Sequence, residues 1–114
     1  MNSRSKGARG EREIAALLRE YGYNTRRGQQ YSGASGDPDV VGLPGIHIEV
    51  KRRERLDLYA AMEQAVRDHR SETLPTVMQR KNGEGWLVTM RLDDWMQLYI
   101  EADAERCISN NAQN

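Results

Sequence analysis

Several features that would mark other kinds of protein are scarce in this chain. Its 114 residues include one cysteine, Cys107. No intramolecular disulfide can therefore form, and the composition fits a reducing cytoplasm better than an oxidising compartment. Nothing near Cys107 in the sequence would activate its thiol, so the side chain is expected to be inert. No window approaches the roughly eighteen consecutive apolar residues of a membrane-spanning helix. The opening stretch, MNSRSKGARGERE, is basic and lacks the apolar centre of a secretory signal. Internal repeats, low-complexity tracts and domain linkers are missing too. A single core is expected over residues 1–108, followed by a polar, fraying tail at 109–114. With 38% hydrophobic and 30% charged residues, the chain is globular rather than disordered.

Net charge is absent as well, since 17 Lys and Arg balance 17 Asp and Glu. The balance conceals a gradient. Residues 1–36 carry seven basic side chains against three glutamates, residues 37–56 carry four of each sign, and residues 57–114 carry six basic against ten acidic. A basic face toward the N-terminus is therefore available for phosphate contact, although bulk charge does not require one.

Periodicity gives the element order. Ile14, Leu17, Leu18 and Tyr21 recur at helical spacing, and Gly22 ends a first helix over about 6–21. YNTRRGQQY (23–31) reads as a polar strand. DVVGL is a short β-branched strand, Pro44 and Gly45 turn the chain, and IHIEVKR (46–52) returns. A second helix is expected over 57–70. TLPTVMQR and GWLVTMR form two more strands around the KNGEG turn, and a last helix over 92–108 is expected to be capped by one of its aspartates. The order α-β-β-β-α-β-β-α predicts an α/β fold, a mixed sheet of about five strands flanked by helices.

The chemistry concentrates in GDPDVVGLPGIHIEVKRRERL (36–56). Strand side chains alternate faces, so Ile46, Ile48 and Val50 point to a core while His47, Glu49 and Lys51 share the opposite face. Asp39 stands at the mouth of a hairpin whose partner strand holds Glu49, and nine residues separate the two. Two carboxylates held close repel, and one protonates unless a cation compensates them. Hard oxygen ligands suit Mg²⁺ or Mn²⁺, and such an ion lowers the pKa of bound water. Lys51 is placed to orient or deprotonate that water, or to neutralise charge building on a phosphate. The pattern suits metal-assisted phosphodiester hydrolysis. Glu49-x-Lys51 by itself would be an ordinary solvated pair on a strand; Pro38-Asp39 upstream makes it a candidate site.

Pro38-Asp39 followed, after nine residues, by Glu49-Val50-Lys51 resembles the signature of the PD-(D/E)xK nucleases. The element order resembles their restriction-endonuclease-like core. Over about residues 6–66 the likeness is greatest to archaeal-type Holliday junction resolvases and their phage-encoded relatives. Their KG…ER opening resembles Lys6, Gly7, Glu11 and Arg12. The resemblance implies that Glu11 joins Asp39 and Glu49 at the metal, that Gln64 supports the site from the second helix, and that a homodimer cuts branched duplex DNA. Helical geometry allows Glu11 to lean toward the sheet from the border of the apolar stripe. Glu13 lies on the other border and is expected to play no such part.

The remaining candidates carry bland readings alongside functional ones. Asp37 is expected to be a turn residue, and His47 a satisfied polar strand residue rather than a general base. Ser32 could touch a phosphate or the metal's water shell, or simply belong to a glycine-rich loop. Arg4, Lys6, Arg9, Arg26, Arg27, Arg52 and Arg53 are candidates for backbone-phosphate contact, which would be salt-sensitive and blind to sequence. Trp86 and Trp95 are expected in the core or at a dimer contact. Two other functions stay open: a restriction-like or nicking nuclease on linear duplex DNA, and a non-cleaving DNA-binding module of the same fold.

Overall fold

In the computed structural model, which describes residues 3–28 and 37–112, the elements follow the expected order. They are α1 (Ser3–Glu20), β1 (Arg26–Arg27), β2 (Val40–Val41), β3 (Ile46–Arg52), α2 (Leu58–Asp68), β4 (Leu74–Arg80), β5 (Leu87–Met90) and α3 (Leu92–Ala112). The five strands form one mixed sheet in sequential order, with β3 and β4 parallel and the other pairs antiparallel. The parallel step requires a crossover, and α2 supplies it.

The two helices α1 and α2 cover opposite faces of the sheet. Ile14 and Ala15 of α1 pack on Val40, Ile48, Val50 and Met78, and Ala61 and Ala65 of α2 pack on Val77. This is why β3 reads apolar at every second residue yet is buried on both sides. Asp57 caps α2, its carboxylate accepting the Ala60 N–H at 3.0 Å.

The inward face of α1 differs from the one periodicity suggested. Tyr21 is 79% exposed and Leu17 is 39% exposed, whereas Gly10, Glu11, Ile14, Ala15 and Leu18 turn toward the sheet. A Cβ on Gly10 would come within 3.2 Å of Arg52 Cβ and 3.3 Å of Val50 Cγ1, so the helix lies very close to β3. Counting large apolar side chains misplaced the stripe, because small residues set the close approach. Glu11, Ile14, Ala15 and Leu18 are themselves at i, i+3, i+4, i+7, which puts Glu11 within the buried face rather than at its border. The helix ends as expected at Gly22, whose φ is 99°. Its N–H bonds to the Arg19 carbonyl, and the Tyr23 N–H reaches the Leu18 carbonyl, a Schellman closure.

Other boundaries shift. The first strand shrinks to Arg26–Arg27; residues 29–31 of the expected strand lie outside the described residues. Thr25 anchors it, donating from Oγ1 to the Ala15 carbonyl at 2.7 Å. Helix α3 continues through Ala112, so residues 109–112 of the expected tail are helical. Neither aspartate caps that helix. Arg91 holds the capping position, its carbonyl accepting the Trp95 N–H, while Asp93 and Asp94 sit in the first turn, where acidic side chains complement the helix dipole.

Gly28 fixes the hairpin that carries Asp39. Its N–H donates to the Asp39 carbonyl at 2.8 Å, and a Cβ there would sit 2.1 Å from the Pro38 carbonyl oxygen. Its nearest neighbours are backbone atoms of Pro38 and Asp39, which leaves no flexible side chain to yield. Gly28→Ala is therefore expected to lower the melting temperature by more than about 5 °C in a small domain. A thermal melt within a degree or two of wild type would contradict this contact.

Candidate active site

Val40 lies opposite Ile48 in the antiparallel β2–β3 ladder, and Asp39, just before β2, donates its N–H to the Ile48 carbonyl at 2.8 Å, next to Glu49 in the chain. Like charges held close across adjacent strands repel. Both acids are buried, Asp39 at 8% exposure and Glu49 at 2%. Asp39 Oδ2 accepts the Val50 N–H at 2.8 Å, which ties its carboxyl to the backbone of the strand bearing Glu49. Burial pushes the Asp39 carboxyl up to about 7. The nearby Glu49 and Glu11 charges and a hydrogen bond with Glu49 add to the rise, and the Val50 N–H opposes it.

Each neighbour on the Glu49 face of β3 has its own partner. His47 Nε2 lies 2.8 Å from Glu49 Oε1, both side chains 3% exposed. Lys51 Nζ donates to Gln64 Oε1 of α2 at 3.0 Å. The second helix thus fixes the lysine in place, two residues along the strand from the glutamate.

Glu11 reaches the neighbourhood from the other layer. It belongs to α1, while Glu49 points to the α2 side of the sheet, and Asp39 lies within electrostatic reach of both. Its carboxylate accepts from Arg27 Nε at 2.8 Å. Three acids do not close into a cage: among the described residues, no group of three or more His, Cys, Asp or Glu side chains is arranged to hold a metal ion. Two of them do adjoin. Asp39 and Glu49 offer buried hard-oxygen donors that carry more negative charge than their surroundings tolerate, and Mg²⁺ is commonly held by one or two carboxylates while it keeps several waters. The donor set fits such an ion.

The other candidates separate by exposure. Arg9, Arg26 and Arg53 are exposed, and Arg27 remains 44% exposed while it holds Glu11. Arg52 is turned inward, its side chain 13% exposed and 3.5 Å from Glu13. Glu13 also takes two hydrogen bonds from Arg80, at 2.9 and 3.2 Å, and so braces α1 against β4. Asp37 is half-buried beside Pro38. Ser32 and the side chains of Arg4 and Lys6 lie outside the described residues. Sequence reading did not find the Arg27–Glu11 pair. The partners stand 16 residues apart on different elements, and no local pattern joins them.

Comparison with known proteins agrees with this geometry. A structure of Hjc, a Holliday junction resolvase from the archaeal hyperthermophile Archaeoglobus fulgidus, superposes with a TM-score of 0.55 at 26% identity, covering 75% of this chain and 72% of that one. It shares the restriction-endonuclease-like architecture of a five-stranded mixed sheet between helices. No curated protein sequence matches the chain. Residues 2–113 match the family described as "Phage putative PDDEXK endonuclease". With its Asp39, Glu49 and Lys51 set on a hairpin of that fold, the chain belongs to this phage PDDEXK endonuclease family, within the PD-(D/E)xK nuclease superfamily.

Proposed function

We propose that the protein is a divalent-metal-dependent DNA endonuclease selective for branched duplex DNA, acting as a homodimer. The observation that carries this reading is the buried, hydrogen-bonded Asp39–Glu49 pair, with Lys51 next on the strand face of Glu49. Asp39 and Glu49 would hold Mg²⁺ or Mn²⁺, and Glu11 would join them directly or through water once released from Arg27. When bound, the ion supplies an acidified water and Lewis-acid polarisation of the scissile phosphate.

The chain's own residues do the rest. Lys51, steadied by Gln64, is placed to neutralise charge developing on the phosphate oxygens. Exposed Arg9, Arg26 and Arg53 would track the backbone phosphates, giving salt-sensitive binding without base readout. Arg52 is better read as framework, since Glu13 holds it inside. The likeness to a junction resolvase supports branched DNA as the substrate.

A gel assay with branched and linear duplexes, each with and without Mg²⁺, tests the reading. Cutting is expected only with the ion, and faster on the branched substrate. Equal cutting of both would point to a general nuclease, and retention without cutting would point to a binding module.

Dimerisation has its own support. Helix α3 makes no substantial contact with any other element among the described residues, and the described residues extend 58 × 28 × 26 Å. Leu92, Trp95, Met96, Leu98, Tyr99, Ile100 and Ile108 are 37–72% exposed along it, as are Leu87 (63%) and Val88 (61%) on the edge strand. That apolar area is of the same order as the ~800 Å² per partner of a specific interface. Helix α3 carries five acidic residues against Arg106 alone, which makes it a poor surface for DNA and leaves a second copy as its occupant. Light scattering at micromolar concentration is expected to give twice the 13.0 kDa chain mass, and Trp95→Asp with Ile100→Asp to give the single mass. A monomeric wild type would overturn this part.

A further inference from the structure

The His47–Glu49 contact has no explanation in stability. Two polar side chains, each 3% exposed, are hydrogen-bonded at 2.8 Å between two helices and inside a sheet. Replacing such a buried pair by apolar residues is often neutral or stabilising, because desolvation offsets most of the attraction. Burial of this pair therefore needs another reason. The neighbour that Glu49 engages supplies one: the same carboxyl is hydrogen-bonded to Asp39.

In the tautomer protonated at Nε2, the His47 imidazole donates to Oε1 of a Glu49 carboxylate. Residues at i and i+2 share a strand face, about 6.5–7 Å apart along it, and the imidazole ring spans that gap. One Glu49 oxygen is thus held by a rigid ring packed in the core, which removes the carboxylate's freedom to rotate.

We infer that His47 is a positioning residue, holding the Glu49 carboxylate in the orientation in which it and Asp39 together take a divalent cation. This rests on the proposed reading of Glu49 as a metal ligand. Groups that orient metal-ligating side chains typically contribute about 10- to 100-fold in metal affinity.

The test is Mn²⁺ binding to the full chain without DNA, followed by calorimetry and by the free-Mn²⁺ electron paramagnetic resonance signal. His47→Leu removes the donor, and His47→Asn keeps a polar side chain too short to present one at the Nε2 position. His47→Gln ends in an amide nitrogen close to that position. Mn²⁺ affinity is expected to fall about 10- to 100-fold in the Leu and Asn variants and to stay within about threefold of wild type in the Gln variant. Thermal melts identify folded variants; should His47→Leu fail to fold, His47→Asn decides.

Glu49→Gln separates the two claims. If it binds Mn²⁺ like wild type, the metal reading falls and this inference with it. If it weakens binding while the Leu and Asn variants bind normally, the metal reading stands and the positioning role is overturned. Failure of His47→Gln to restore affinity lost in His47→Asn would also overturn it.

Discussion

Lys51→Ala is expected to leave DNA bound and uncut. The amine is held on the strand face of Glu49, where Gln64 Oε1 accepts from it at 3.0 Å. A cation aimed at charge that develops only in the transition state affects the rate and hardly affects ground-state binding. Loss of one such group costs on the order of 10²- to 10³-fold, so cleavage should fall by about that factor while retention of DNA on a filter is unchanged. Lys51→Arg should not restore the rate, because a broad planar guanidinium cannot replace a compact point charge within a packed site. Gln64→Ala should fall in between, since it leaves the amine present but unsteadied. A Lys51→Ala enzyme cutting at the wild-type rate would remove Lys51 from the mechanism.

Asp39→Asn should abolish cleavage and, at neutral pH, raise the stability of the metal-free protein. Burial and the nearby Glu49 charge lift the Asp39 carboxyl from an ordinary 3.8 to about 7. The folded chain then binds that proton more tightly than the unfolded chain does. Between pH ~4 and ~7 the native state holds more protons, so stability declines as pH rises through this window and stays low above it. The span corresponds to at most about 4 kcal/mol.

Asparagine removes the charge and keeps an oxygen for the Val50 N–H. At pH 8 the variant should melt several degrees above metal-free wild type, and at pH 4 the two should melt together. The same titration makes the wild-type site compete with protons for cations, so Mn²⁺ affinity should climb up to about pH 7 and then level off. A variant less stable than wild type at pH 8 would show that the Asp39 charge is not a liability in the fold.

The proximity of Asp39 to the Glu49 strand could be read from the chain because it depends on local rules. Antiparallel return through a short Leu43-Pro44-Gly45 connection brings residue 39 alongside the strand that bears residue 49, and β3 spans 46–52 as its β-branched pattern suggests. The face of α1 was harder to read. Hydrophobic periodicity weights large side chains, whereas Gly10 and Ala15 let the helix approach β3, leaving Tyr21 in solvent and bringing Glu11 inside. The expected three-acid convergence also depended on more than spacing. Glu11 and Glu49 arrive from opposite layers, and Arg27 takes the Glu11 carboxylate.

The sequence alone determined the order of elements and the strand pair bearing Asp39, Glu49 and Lys51, because backbone alternation and hairpin closure act over a few residues. Only the tertiary structure decided which partners those side chains keep: Arg27 for Glu11, His47 for Glu49 and Gln64 for Lys51, while among the described residues α3 has no substantial contact with another element. Burial and charge pairing depend on distances between elements far apart in the chain, and linear spacing does not encode such distances.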